Sequence, residues 1–89
     1  MLKREVTITN KLGLHARAAA KFVTLATRFG ADIRICRDGN EVNGKSIMGV
    51  MMLAAARGAR LELSAAGEDA EQALDSLETL IQQRFGEDG

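Results

Sequence analysis

Tryptophan and tyrosine are missing from this 89-residue chain, and three phenylalanines are its only aromatic residues. Platforms on which nucleobases could stack are therefore scarce. There is no surplus of charge either: twelve Lys and Arg balance twelve Asp and Glu, which argues against a general nucleic-acid binder. A single cysteine excludes an internal disulfide. With no secretory leader and no metal-ligand spacing, it points to a reducing, cytoplasmic setting. No apolar run approaches the ~20 residues needed to span a bilayer, so no membrane insertion is expected. Internal repeats, low-complexity tracts and interdomain linkers are also absent. What remains is one small domain over residues 1–89. A chain of this size buries about 60–65% of its unfolded surface and depends on packing for its stability.

The charges that are present are unevenly spread. Residues 1–37 are mostly basic, while Glu62, Glu68, Asp69, Glu71, Asp75, Glu78, Glu87 and Asp88 crowd the last third. The basic part holds the only histidine, His15, so an acidic partner surface is the natural counterpart.

Hydrophobic periodicity sets out the elements. Leu2, Val6 and Ile8 alternate with Lys3, Glu5, Thr7 and Thr9, a strand with one buried face. Asn10 to Gly13 is a loop. From Ala16 to about Phe29 the period becomes helical, with Ala19, Phe22, Val23 and Ala26 on one face and Arg17, Lys21, Thr24 and Arg28 on the other; Gly30 suits the stop. Ala31 to Arg37 alternates around Ile33 and Ile35, with Cys36 on the opposite face. Asp38-Gly39 then marks a hairpin into a short strand around Val42. Ser46 is placed to cap a helix starting at Ile47, and Leu61, Leu63 and Ala65 mark a fourth strand over residues 60–66. Ala70, Ala73, Leu74, Leu77, Ile81 and Phe85 form the stripe of a long last helix, whose start Glu68, Asp69 and Glu71 complement. The order β-α-β-β-α-β-α, with alternating strand faces, predicts an α+β domain: an antiparallel sheet covered on one face by helices.

His15 is the first candidate for chemistry. It follows a glycine loop at the mouth of a helix and precedes Arg17 by two residues, which puts the guanidinium on the solvent side of the first turn. An imidazole can be uncharged and nucleophilic near neutral pH. The free N–H groups of the turn and the arginine suit an anionic group such as phosphate. A bland surface or capping histidine is the competing reading. The glycine loop, the helix start and Arg17 argue against it and for a residue that accepts a phosphoryl group.

Ile47 to Leu53 carries two apolar stripes, Val50, Leu53 and Ala54 on one and Ile47, Met48, Met51 and Ala55 on the other. A small domain covered on one sheet face buries one stripe, leaving a methionine-rich surface for partners unless this short helix is wholly buried. Ser46 has its capping role and, as the alternative, a regulatory phosphorylation that would add about two negative charges beside that surface. Gly39 to Ser46 matches the phosphate-loop pattern G-x-x-x-x-G-K-S/T. A small nucleotide-binding enzyme is nevertheless rejected. Gly39 already serves the hairpin, and the chain lacks room for a parallel βαβ framework. Cys36 reads as a passive thiol, and Arg57, Gly58 and Arg60 as a solvated helix end and loop.

Asn10-Lys11-Leu12-Gly13-Leu14-His15-Ala16-Arg17-Ala18-Ala19 and Asn43-Gly44-Lys45-Ser46-Ile47-Met48-Gly49 together resemble the histidine phosphocarrier (HPr) family of the bacterial phosphotransferase system, including its nitrogen-branch relatives. The resemblance covers essentially the whole chain. It implies an open-faced β-sandwich of four antiparallel strands with three helices on one side. It also implies a carrier rather than an enzyme: His15 would take a phosphoryl group on Nδ1 from phosphorylated enzyme I, charged by phosphoenolpyruvate, and pass it to a histidine of an EIIA-type protein. Arg17 would stabilise the group in transit, and Ala16, Ala20, Ile47, Met48 and Met51 would form the docking surface. Ser46 would be the target of an HPr kinase/phosphorylase. No cofactor or metal is implied, and the protein would act as a monomer. Ala18 stands where many members have proline, which pre-sets the first helical turn. A regulatory module that signals carbon or nitrogen status through its phosphorylation state is the alternative.

Overall fold

Alternation in the first residues becomes β1 (Leu2–Thr7), which pairs antiparallel with β4 (Arg60–Ala66) from Leu2 opposite Ala65 to Thr7 opposite Arg60. The computed structural model describes residues 1–89. On its other side β4 pairs antiparallel with β2 (Asp32–Arg37), which in turn carries β3 (Asn40–Asn43), giving the sheet order β1-β4-β2-β3. Asp38 and Gly39 both take positive φ, 52° and 85°, in the two-residue turn that the right-handed twist of a hairpin favours.

Three helices cover one face: α1 (Ala16–Ala26), α2 (Ile47–Met52) and α3 (Ala70–Gln82). α3 packs on β1 and β4, while α1 lies against α2 and α3. Between the layers, Val6, Ile33, Ile35, Leu61, Leu63 and Ala65 from the strands meet Phe22, Val50, Leu74, Leu77 and Ile81 from the helices in one core cluster. The expected open-faced sandwich of four antiparallel strands and three helices is the observed architecture.

Several local expectations need correction. Leu2 is not buried. β1 is an edge strand and Leu2 sits at its outer corner, half-exposed. The first helix stops at Ala26 rather than near Phe29, its last turn tightened by Arg28 N–H to Leu25 O (3.1 Å) and Phe29 N–H to Ala26 O (3.2 Å). Gly30 is not its left-handed cap; the Gly30 and Ala31 N–H groups both donate to the Asp69 carboxylate at 2.9 Å. Asp69 thus ties the α1–β2 loop to the start of α3 and makes no side-chain cap to its own helix.

Phe85 is buried, as its place in the stripe predicts, but it is not helical. Arg84, Phe85 and Gly86 take three successive positive φ values, 56°, 55° and 77°. Each non-glycine residue there costs about 1 kcal/mol or more, offset by seating the Phe85 ring in the core. This left-handed turn swings residues 86–89 away from the axis of α3 and back towards Lys11, whose N–H donates to Gly89 O at 2.5 Å.

Candidate functional site

The loop before α1 is built around a buried asparagine. Asn10 is fully buried; its Nδ2 donates to Gly13 O at 2.8 Å, and Gly13 N–H returns a bond to Asn10 O at 3.2 Å. Gly13 sits at φ +67°, against the carbonyl of Ala55 so closely that a Cβ would collide with it. Leu14, buried, donates its N–H to that same Ala55 oxygen at 2.8 Å.

These bonds deliver His15 as the N-cap of α1, in extended conformation with φ −70° and ψ 176°. The first helical bond runs from Ala19 N–H to His15 O at 2.9 Å, so the N–H groups of Ala16, Arg17 and Ala18 have no backbone partner. The His15 side chain does not cap them. Its Nε2 lies 2.5 Å from Glu87 Oε2, and the side chain keeps 28% of its surface open. Arg17 is exposed and unpaired; it lines a surface depression of about 430 Å³ together with Lys11, Leu12, His15, Glu87 and Asp88. Sequence spacing alone places His15 and Arg17 at one helix mouth, and the fold brings them to one depression.

Glu87 and Asn10 are the site residues that sequence reasoning missed. Glu87 reads in the sequence only as part of an acidic last third, and no spacing signal spans the 72 residues that separate it from His15. Its second oxygen, Oε1, accepts from Asn10 Nδ2 at 2.9 Å, while Lys21 Nζ donates to Phe85 O at 2.6 Å and steadies the approach. The bond from Asn10 holds the Glu87 carboxyl below the usual carboxylate range. Partial burial opposes this shift, and the hydrogen bond and charge of His15 and the charge of Lys21 add to it. Asn10 Oδ1 is buried without a partner.

The helix that Ser46 caps stands nearby. Ser46 Oγ accepts from Gly49 N–H at 3.1 Å, as expected of an N-cap, and at the other end Arg37 donates to the carbonyls of Leu53 (2.8 Å) and Ala54 (2.9 Å). Val50 and Leu53 are buried, whereas Ile47, Met48 and Met51 are exposed, so the short helix is not wholly buried. Two expectations fail beyond Met52. Ala54 is exposed and Ala55 buried, the reverse of the helical stripes, because the helix has ended and Ala54 takes φ 49°. Met52 on the same helix (78%) and Leu12 in the loop before α1 (66%) are also exposed, comparably to Met48 at 71%. Ala16 is exposed and Ala20 partly so. The phosphate-loop match has no loop: Asn40–Asn43 is β3, and Lys45 Nζ donates to Phe29 O at 2.7 Å.

An imidazole at a helix N-cap, three unpaired amides behind it and a free guanidinium beside it form a site suited to a small tetrahedral anion. A family model described as PTS HPr component phosphorylation site matches residues 2–83. The chain belongs to the HPr family of phosphocarriers. The HPr of Cupriavidus necator is 53% identical over 87 residues, 98% of either chain. The crystal structure of HPr-C-His from Thermoanaerobacter tengcongensis superposes with a TM-score of 0.96 at 45% identity, covering 100% of both chains. An HPr dimer from the same organism matches at a TM-score of 0.79 and 46% identity, over 98% of this chain and 100% of that one. In this HPr-family chain no helix is long and apolar enough to cross a membrane.

Proposed function

We propose that this chain is a phosphocarrier of the phosphoenolpyruvate-dependent phosphotransferase system, in which His15 takes a phosphoryl group on Nδ1 from phosphorylated enzyme I and passes it to a histidine of an EIIA-type protein. The observation that carries this reading is the contact of His15 Nε2 with an ionised carboxylate, 2.5 Å away. A carboxylate accepts only, so Nε2 holds the ring proton and the lone pair of the neutral ring is on Nδ1. The Ala16, Arg17 and Ala18 amides and the Arg17 guanidinium supply the positive field that a transferring phosphoryl group needs. Arg17 stabilises the group in transit. The chain acts in the cytoplasm as a monomeric carrier, with no cofactor or metal of its own, and releases no product.

Donor and acceptor dock in turn on Ala16, Ala20, Ile47, Met48 and Met51, with exposed Met52 on the same helix and Leu12 beside His15 adding apolar surface. Flexible methionines suit a surface that must fit two partners. Incubation with phosphoenolpyruvate and enzyme I adds one phosphate to the intact mass. That phosphate is labile in acid, stable in base and absent from His15→Ala. An adduct that survives the substitution overturns the assignment.

The regulatory reading keeps one observation of its own. Ser46 is half-buried beside the exposed Ile47 and Met48, where a phosphate would set charge against the docking surface. An HPr kinase/phosphorylase is the enzyme expected to act there. If EIIA-type proteins bind the chain but never gain its phosphate, the signalling role replaces the carrier role.

A further inference from the structure

Glu87 has no part in the docking surface or among the groups set to receive the phosphoryl group, yet it makes the only side-chain bond to the His15 ring. The arrangement is built rather than incidental. The left-handed turn at Arg84–Gly86 reverses the chain, and the Phe85 ring anchors it in the core. Lys21 holds the Phe85 carbonyl at 2.6 Å, and Glu87 N–H donates to Arg84 O at 2.9 Å. Both carboxylate oxygens are used, Oε1 on buried Asn10 at 2.9 Å and Oε2 on His15 at 2.5 Å, leaving the side chain 16% exposed.

We propose that Glu87 is a positioning residue for phosphoryl transfer: it keeps a proton on Nε2 of His15 both before and after Nδ1 is phosphorylated. This rests on the phosphocarrier reading of His15. In the forward step the Nδ1 lone pair forms the bond to phosphorus, and the bond between phosphorus and the enzyme I donor atom breaks, its electron pair staying with the donor. The proton remains on Nε2, so the phosphorylated ring is cationic and lies against the Glu87 carboxylate. In the onward step the acceptor nitrogen of the EIIA-type protein attacks phosphorus. The Nδ1–P bond breaks, its electron pair returns to the ring, and His15 departs as neutral imidazole. Without the Nε2 proton it would depart as imidazolate, a far poorer leaving group.

The other charges near the ring do not do this work. Lys11 and Arg17 share its depression and Lys21 approaches from α1, and all three disfavour a cationic ring. Asp88 lines the same depression and is exposed, but only Glu87 touches the imidazole. The carboxyl stays ionised well below neutral pH because Asn10, His15 and Lys21 all favour its charged form, so it is present as an acceptor across the working range.

The test compares wild type with Glu87→Gln, which keeps size and loses charge. The rate of phosphoryl transfer from the phosphorylated chain to an EIIA-type protein is followed from pH 6 to pH 9, with nitrogen-15 spectra of the His15 ring in both states. An opposite charge at contact shifts a titration by about one unit or more. The two chains should therefore transfer alike at the acid end, and Glu87→Gln should fall about tenfold behind at the alkaline end. In the spectra of the phosphorylated form, Nε2 should lose its proton at lower pH in the variant. A merely structural role would lower the rate equally at every pH. Superimposed profiles with unshifted Nε2 signals overturn the positioning role while leaving His15 as the acceptor. Failure of the wild-type chain to gain phosphate on His15 overturns the carrier reading itself, and this proposal with it.

Discussion

The N–H of Leu14 donates to the carbonyl oxygen of Ala55 at 2.8 Å, joining the loop that presents His15 to the segment that follows the methionine-bearing helix α2. His15 and the exposed apolar surface are therefore not independent features of the chain. One backbone bond, beside a glycine that packs on the same carbonyl, sets them relative to each other.

That junction predicts the effect of Gly13→Ala. The substituted residue must hold a positive φ and push against backbone that cannot swing aside. Unfolding in urea should show a loss of about 2–4 kcal/mol. An unchanged midpoint would mean the loop relaxes freely and does not fix His15.

Ser46 separates capping from regulation. Ser46→Ala removes the bond to Gly49 N–H and should cost about 1 kcal/mol, whereas aspartate caps as well as serine. Ser46→Asp should keep the stability of wild type yet slow phosphate uptake at His15, read as a raised KM for enzyme I. Equal kinetics would leave Ser46 a cap and nothing more.

Met48 and Met52 are exposed, so truncating them touches little of the core. Met48→Ala and Met52→Ala should each change folding stability by less than about 0.5 kcal/mol. Each should raise the KM for enzyme I about fivefold, the effect of removing roughly 1 kcal/mol of docking energy, with kcat held. If only Met48→Ala has this effect, the docking surface stops short of the end of α2.

The Glu87 carboxyl titrates below the ordinary carboxylate value of 4.5. A depressed carboxyl contributes stability that is present above the unfolded value and is lost as pH falls through the folded one. The contribution of the ionised carboxyl to the stability gap between wild type and Glu87→Gln should therefore be lost as pH falls below about pH 4. Chemical denaturation at a series of pH values reads the gap directly, and a gap that stays undiminished below about pH 4 would contradict the depressed carboxyl.

Legibility in the sequence followed distance along the chain. Val6, Ile8, Ile33, Ile35, Leu61, Leu63 and Ala65 announced their strand faces through a two-residue period, and all are buried. Ser46 announced its cap because an N-cap acts within three residues of itself. Phe85 fitted the stripe of α3 and is buried as that stripe requires, but nothing local signals that the backbone turns left-handed one residue before it. Leu2 has the right parity for the core and is exposed all the same, since parity says nothing of which strand lies at an edge.

The sequence by itself determined the element order, the buried faces and the placing of His15 two residues before Arg17 at a helix mouth. Each of these is a short-range consequence of hydrophobic period, capping or turn chemistry. Only the tertiary structure decided that Glu87 meets both Asn10 and His15, and that Leu12 and Met52 are left exposed. The Glu87 contacts depend on how α3 packs and where the chain reverses after it. A contact between residues 72 apart is set by the summed geometry of the whole core, which no local pattern records.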